Sequence, residues 1–490
     1  MARTPLRTGG FLVLLAALLS AVLTVSNPAP AAAIDGVISP SLRIRTVANG
    51  LSLPWDLGFT PDGTMLFTER PGRLNVRLVD GTVRRLDANL GDLFVRGESG
   101  LLGLTVHPDF SANRTFYTCQ AHAGPEIQVI GWVVNAGYTR ATRIADPLVG
   151  GIPLSTGRHG GCRVRFGPEG NLWIATGDAA GSTHPQSLSS LGGKVLRVDP
   201  TTGAGATGNP FANSVNANTR RIYSYGHRNL QGLSQRPGTD EMWTVEHGPS
   251  RDDEVNRIVG GGNYGWAPGA GYNEGVPMTD LGRFPNAIEA QWSTGSPTLA
   301  MSGGFWVEGR NWGPLAGTLA VASLKNQTLR FFEFDDDGDF LASEIGNELS
   351  TRFGRLRTPM MGPDGSLYVT TSNGSNDRIL KVTPVGAPRG AFDRALVHDG
   401  RVRVSGWAID PNRVKRSAVR VLIDGEVVAR VKAGRPRPDV ARVHPDYGKR
   451  HGYVIWVDAS PGQHEVCVEA LDAGRHRVAP VELGCRSVSV

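Results

Sequence analysis

The chain has 490 residues, 40% hydrophobic and 20% charged, with 64 Gly and 32 Pro. This is the composition of a soluble globular protein with many tight turns between short strands, and the length fits roughly two to four domains. The net charge of +6 comes from Lys and Arg scattered among acids, with no basic tract carrying interleaved aromatics, which argues against nucleic acid as a partner.

At the N-terminus, Arg3 and Arg7 precede an apolar run from Phe11 to Val25 and small residues ending Ala31-Ala32-Ala33. The run is short for a membrane span, and the small residues form a cleavage site, so residues 1–33 read as an export signal. With no Arg-Arg pair and no Cys near the cut, the expected product is a secreted soluble protein without a membrane span. Four cysteines suit an oxidising compartment. Cys467 and Cys485 lie in two strand-like runs and are the expected disulfide; Cys119 and Cys162 form a second bond or remain two buried thiols.

From residue 59 onward a pattern recurs: an apolar residue, a Pro turn with Gly or Asp, then an alternating apolar strand. Its six copies, FTPDGTMLFTE, VHPDFSANRTFYT, FGPEGNLWIATGD, QRPGTDEMWTVEHG, WGPLAGTLAVASLK and MGPDGSLYVTTSNG, carry Pro61, Pro108, Pro168, Pro237, Pro314 and Pro363. Repeated turn-then-strand units predict an all-β chain, with residues 34–385 forming a six-bladed β-propeller whose chemistry sits on loops at one end of the channel. A pair of β-sandwiches would supply strands and turns but not the repeated P-D-G element. Within this region EFDDDGDFLASE spaces its acids like a calcium loop but lacks a helical flank, so a hairpin turn is expected. Residues 386–392 read as a linker, and the alternating runs of 393–490 as an immunoglobulin-like β-sandwich with Trp407 in its core.

The densest set of groups that are costly to bury lies between residues 221 and 266: Arg228, Asn229, Gly248, Pro249, Asp252, Asp253, Glu254 and Tyr264. An anion held by the arginine and a hard cation held by carboxylate and carbonyl oxygens would partner them.

Seven stretches in order, GESGLLGLTVHPDF, RHGGCRVRFGPEGNLWIATGD, PQSLSSLGGKVLRVDP, YSYGHRNLQG, EHGPSRDDEVN with NYGW, ASLK and GRLRTPMMGPDG, resemble the soluble quinoprotein glucose and aldose sugar dehydrogenases, the glucose/sorbosone dehydrogenase family. The resemblance covers about residues 43 to 384 and implies a propeller that binds pyrroloquinoline quinone (PQQ) and Ca²⁺ and oxidises the C1 hydroxyl of an aldose to a lactone. It implies His159 as catalytic base and Asp178 as the acid orienting it. It implies cofactor contacts from Glu98, Arg228, Asn229, Lys325, Arg355 and Arg357. Arg355 and Arg357, two apart on a strand, share one face. Gly248 and Pro249 would offer main-chain oxygens to Ca²⁺, with a second Ca²⁺ at Glu254 and the Tyr264 carbonyl. Three positions depart from the family's glucose enzymes: Glu98 stands for Gln, Arg158 for Asp and Cys162 for Gly. The C-terminal GWAIDP, RPDVARVHPDYG, HGY and GC segments resemble a module appended to exported actinobacterial proteins, implying attachment or spacing, with cell wall or glycan as its contact. The function expected is therefore an exported PQQ-dependent aldose dehydrogenase served by an external electron acceptor. The alternatives are a non-catalytic propeller binding a glycan or protein, and hydrolase or lactonase chemistry, which would want acids around a central metal.

Overall fold

The computed structural model describes Met1 and residues 40–410, 416–471 and 480–490, so the expected export signal lies outside the described residues. Turn-bounded runs such as Leu172–Thr176 are buried on both faces, which is why they carry apolar residues continuously instead of in alternation. Among the described residues such strands form six sheets between Leu42 and Pro384. Their first strands are Pro54–Phe59, Leu101–Val106, Gly161–Phe166, Leu230–Gln235, Met301–Trp306 and Leu356–Met361. These strands touch in cyclic order, the last against the first, which closes the ring of a β-propeller. The closing sheet is assembled from both ends of this region: Leu42–Leu51 runs antiparallel to Asp377–Pro384, with Leu42 opposite Pro384. All six repeated prolines fall at one structural position, the connection between the first and second strands of a sheet.

The axis of the ring is filled by charge. Asp56 is fully buried between Arg163 and Arg165, at 2.7 and 2.9 Å. Asp56 accepts the Leu104 N–H of the second sheet at 2.9 Å. Arg163 donates to Gln231 O of the fourth sheet at 2.9 Å and to Thr358 Oγ1 of the sixth at 3.0 Å. A buried charge persists only when paired and hydrogen-bonded, so this cluster fixes the relative placement of five sheets.

A disulfide joins Cys119, in the second sheet, to Cys162, in the third. Its alternative, two buried thiols, is not what forms. The acidic EFDDDGDF stretch is the expected hairpin turn, with Asp339 N–H on the Asp335 carboxylate at 2.8 Å between strands Leu329–Phe334 and Phe340–Ile345. Beyond Pro384, two four-stranded antiparallel sheets enclose a core that includes Phe392, Val404, Val421, Tyr453 and Val468. Cys467 and Cys485, directly opposite on neighbouring strands, are bonded. Two expectations are corrected here. Strand Arg389–His398 begins inside the stretch read as a linker, because Arg389 pairs with Ile409. Trp407 is only half-buried, its ring against His444 at 5.8 Å, because on its strand the inward positions fall to Gly406 and Ala408. Among the described residues no helix is long and apolar enough to cross a membrane.

The axial cluster generates a stability prediction. Burial alone raises the Asp56 pKa, but Arg163 and Arg165 outweigh it and the net shift is downward. A depressed folded-state pKa means that this contribution is complete above the unfolded value of about 3.9 and is lost as pH falls through the folded value. Asp56→Asn is expected to cost about 3–5 kcal/mol at neutral pH, measured by chemical denaturation, and to flatten the acid limb of the stability curve below about pH 4.

Candidate active site

The starts of the first strands and the ends of the second strands point to one mouth of the ring, and His159, Asp178, Arg228, Asn229, Lys325 and Arg355 lie next to these strand ends. His159 precedes Gly161–Phe166 and Asp178 follows Leu172–Thr176, so neighbouring strands of the third sheet deliver them side by side. The backbone there is left-handed at His159 (φ 49°), Gly161 (φ 56°) and Cys162 (φ 68°). A Cβ on Gly177 would lie 1.9 Å from His159 O, so only glycine permits this approach.

His159 is buried, 3% exposed. Its Nδ1 lies 3.0 Å from Asp178 Oδ1 and 2.8 Å from the Tyr272 hydroxyl. Tyr272 donates to Asp178 Oδ2 at 2.7 Å, and Trp266 Nε1 donates to the same oxygen at 2.8 Å. On the other edge of the ring, Arg228 Nη2 stands 3.1 Å from Nε2. A guanidinium only donates and Asp178 only accepts, so the surroundings assign the proton to Nδ1 and the lone pair to Nε2. Arg228 also donates to His247 O at 2.6 Å and forms an ion pair with Glu274, which reaches Arg158 at 3.2 Å. The turn carrying Arg228 and Asn229 is held by buried Glu246, which accepts both backbone N–H groups and lies 3.0 Å from His227 Nδ1.

Two adjoining cavities of about 460 and 120 Å³ open at this mouth and share Trp55, Glu98, Arg355 and Arg357. Arg70 lines the larger; Asn229, Gln231 and His247 line the smaller. Three guanidiniums thus face one carboxylate. Desolvation, then repulsion from Arg163, Arg355 and Arg70, pushes the Arg357 pKa down. Cations crowded in this way fit an anionic ligand. Glu98 meets the His159 N–H at 3.0 Å. Gly248 is buried, and its carbonyl accepts from His247 Nδ1 at 2.6 Å. Glu254 is buried directly across from Glu246 in the sheet. Burial, then the Glu246 charge, pushes the Glu254 pKa well up, the environment of a carboxylate short of a cation. The Tyr264 carbonyl accepts from Thr279 Oγ1 at 3.2 Å.

The sequence model of the family described as Glucose / Sorbosone dehydrogenase matches residues 51–381. The chain belongs to this family. It is similar to the aldose sugar dehydrogenase YliI of Escherichia coli (strain K12), at 30% identity over 353 residues, 70% of this chain and 93% of that one. It is 30% identical over 262 residues to quinoprotein glucose dehydrogenase B of Acinetobacter calcoaceticus, 47% of this chain and 53% of that one. Its structure resembles the PQQ-bound form of an aldose sugar dehydrogenase from Streptomyces coelicolor, with a TM-score of 0.58 at 28% identity over 71% of this chain and 99% of that one.

In this glucose/sorbosone dehydrogenase family member, His159, Asp178, Arg228, Asn229, Glu98, Arg355 and Arg357 converge. Lys325 lies at the same mouth but is exposed, and its neighbour Leu324 lines the smaller cavity in its place. Sequence reasoning did not single out Tyr272, Glu274, Glu246, Arg70 or Trp55. Trp266 closes the NYGW motif and was legible there, whereas Tyr272 and Glu274 sit in AGYNEG, a turn-rich stretch without periodicity. Pro249 is half-buried beside Gly248.

Proposed function

We propose that this chain is an exported quinoprotein dehydrogenase that oxidises the C1 hydroxyl of an aldose to the lactone, with PQQ and Ca²⁺ as cofactors. The observation that carries this reading is a buried imidazole held between Asp178 at Nδ1 and Arg228 at Nε2, beside a cavity where three guanidiniums meet one carboxylate. His159 Nε2 takes the proton of the C1 hydroxyl. Asp178 accepts the Nδ1 proton's hydrogen bond and stabilises the imidazolium that results, while Trp266 and Tyr272 prevent its carboxylate from turning. Arg228 vacates Nε2 as the hydroxyl arrives, since Glu274 and His247 O already share its other donors.

Arg228, Arg355, Arg357, Asn229 and Lys325, with Arg70 and Glu98 beside them, would hold PQQ, which when bound accepts the hydride leaving C1. The carbonyls of Gly248 and Pro249 would hold Ca²⁺ as a Lewis acid, and Glu254 with the Tyr264 carbonyl a second, structural Ca²⁺. Turnover needs an external electron acceptor. The two disulfides support an exported protein, and the C-terminal sheets are read as its attachment or spacing unit.

The decisive measurement adds PQQ and Ca²⁺ to metal-free protein and follows dye reduction with a panel of aldoses. Reduction is expected with at least one aldose, and failure of the wild type to bind PQQ would overturn the reading. His159→Ala is expected to keep PQQ and lose turnover by about 100- to 10,000-fold; normal turnover would remove His159 as the base. Tyr272→Phe keeps the ring but releases Asp178 Oδ2 and Nδ1. It is expected to lower kcat about tenfold with KM nearly unchanged and to move the kcat pH profile, as loss of an outer hydrogen-bond partner does; an unchanged profile would leave Tyr272 a packing role only.

The Glu254 pKa is raised, so the contribution of this group to the stability of the metal-free protein falls as pH rises above the ordinary value of about 4.3. Ca²⁺ is therefore expected to raise Tm at neutral pH. Glu254→Gln should raise the metal-free Tm and shrink the Ca²⁺ increment, and an increment equal to wild type would reject Glu254 as a ligand.

A further inference from the structure

The opposite mouth of the ring holds a separate cavity of about 470 Å³, where the first strands end. Its wall includes Phe59, Phe166, Phe305 and Met361, with Arg165 and Ser234 among them. Arg165 and Ser234 are 6% and 2% exposed. Among the described residues Arg165 Nε and Ser234 Oγ are buried with no hydrogen-bond partner. Nη1 of Arg165 donates to Asp56, Leu104 O and Val164 O and Nη2 to Asp56, whereas Nε has no acceptor. Buried donors without acceptors are costly and imply a group that accepts from them.

Arg165 is the cation in the wall of this cavity, and it lies beside Asp56 at 2.9 Å. Glu308 is exposed and also lines the cavity. An aromatic wall over two unpartnered donors, one of them on a guanidinium, fits a flat apolar body with an anionic acceptor at one end. Trp55, Glu98, Arg355 and Arg357 line the first mouth and none of this one, and the Asp56 cluster lies between the two.

We propose that this second mouth binds a small planar aromatic carboxylate, with its carboxylate on Arg165 Nε and Ser234 Oγ and its ring among Phe59, Phe166 and Phe305. The test uses 2-naphthoate with the full-length protein, free of PQQ and Ca²⁺, followed by isothermal titration calorimetry. The wild type is expected to bind one equivalent saturably. Ser234→Ala and the milder Phe305→Leu are expected to weaken binding about tenfold, while Arg355→Ala at the other mouth leaves it unchanged. Circular dichroism and Tm confirm that each variant is folded, and Phe305→Leu alone decides should Ser234→Ala fail to fold.

Absence of saturable binding to the wild type overturns the proposal. So does wild-type affinity in folded Ser234→Ala and Phe305→Leu, or a loss confined to Arg355→Ala, which would put the naphthoate at the cationic mouth. None of these readouts depends on turnover, so the outcome is independent of the dehydrogenase assignment.

Discussion

One carboxylate between two guanidiniums at the axis of the ring sets the terms for the rest of the structure. Asp56 comes from the first sheet and Arg163 and Arg165 from the third, and further hydrogen bonds tie Asp56 to the second and Arg163 to the fourth and sixth. Thr358 passes the connection back to the first sheet, donating to Trp55 O at 2.7 Å. An apolar plug would tolerate small rotations of the sheets, but a buried ion cluster loses its compensation with any displacement that breaks a hydrogen bond. The cluster also leaves the channel with more positive than negative charge. Arg357, crowded by Arg163, carries that excess to the cavity beside His159.

The imidazole of His159 is held by constraints of a different kind. His159, Gly161 and Cys162 all have left-handed backbone, a conformation that costs non-glycine residues energy and persists where the surroundings over-determine it. Those surroundings are a disulfide from Cys162 to the second sheet, a bare Gly177 that lets the His159 carbonyl come close, and Glu98 on the His159 N–H. On the facing turn, Glu246 ties down Arg228 and Asn229 by their backbone, and the Arg228 guanidinium, held by Glu274 and His247 O, faces the imidazole.

How much of this was legible follows from which residues are fixed locally. Six prolines sit at six equivalent turns because the strand-turn-strand unit is a local structure, and local structure leaves a repeat in the sequence. His159 and Asp178 were legible because neighbouring strands bring them together within a short segment. Arg355 and Arg357 share a face by strand alternation and do line the same cavities. Tyr272 and Glu274 reach the imidazole from a long insertion between the third and fourth strands of one sheet, a placement with no period to betray it. Arg70 and Trp55 come from the first sheet, whose contact with this mouth exists only once the ring has closed. Asp253 read as one member of an acidic run, yet it is a buried loop anchor that accepts the backbone N–H of Gly248, Leu299 and Met301.

Arg158 shows how one residue can alter a site without disturbing its chemistry. A guanidinium precedes His159 and sets a positive charge beside the imidazole. Unpaired, it would add to the positive excess of the mouth and stand 3.5 Å from the His159 Nε2 lone pair. Glu274 answers it, bridging Arg158 and Arg228 with its two oxygens, and those guanidiniums together with its hydrogen bonds outweigh burial to hold its own pKa down. The acceptor oxygens of Glu274 therefore stand on the 267–291 side of the mouth, facing the donors of Arg158 and Arg228.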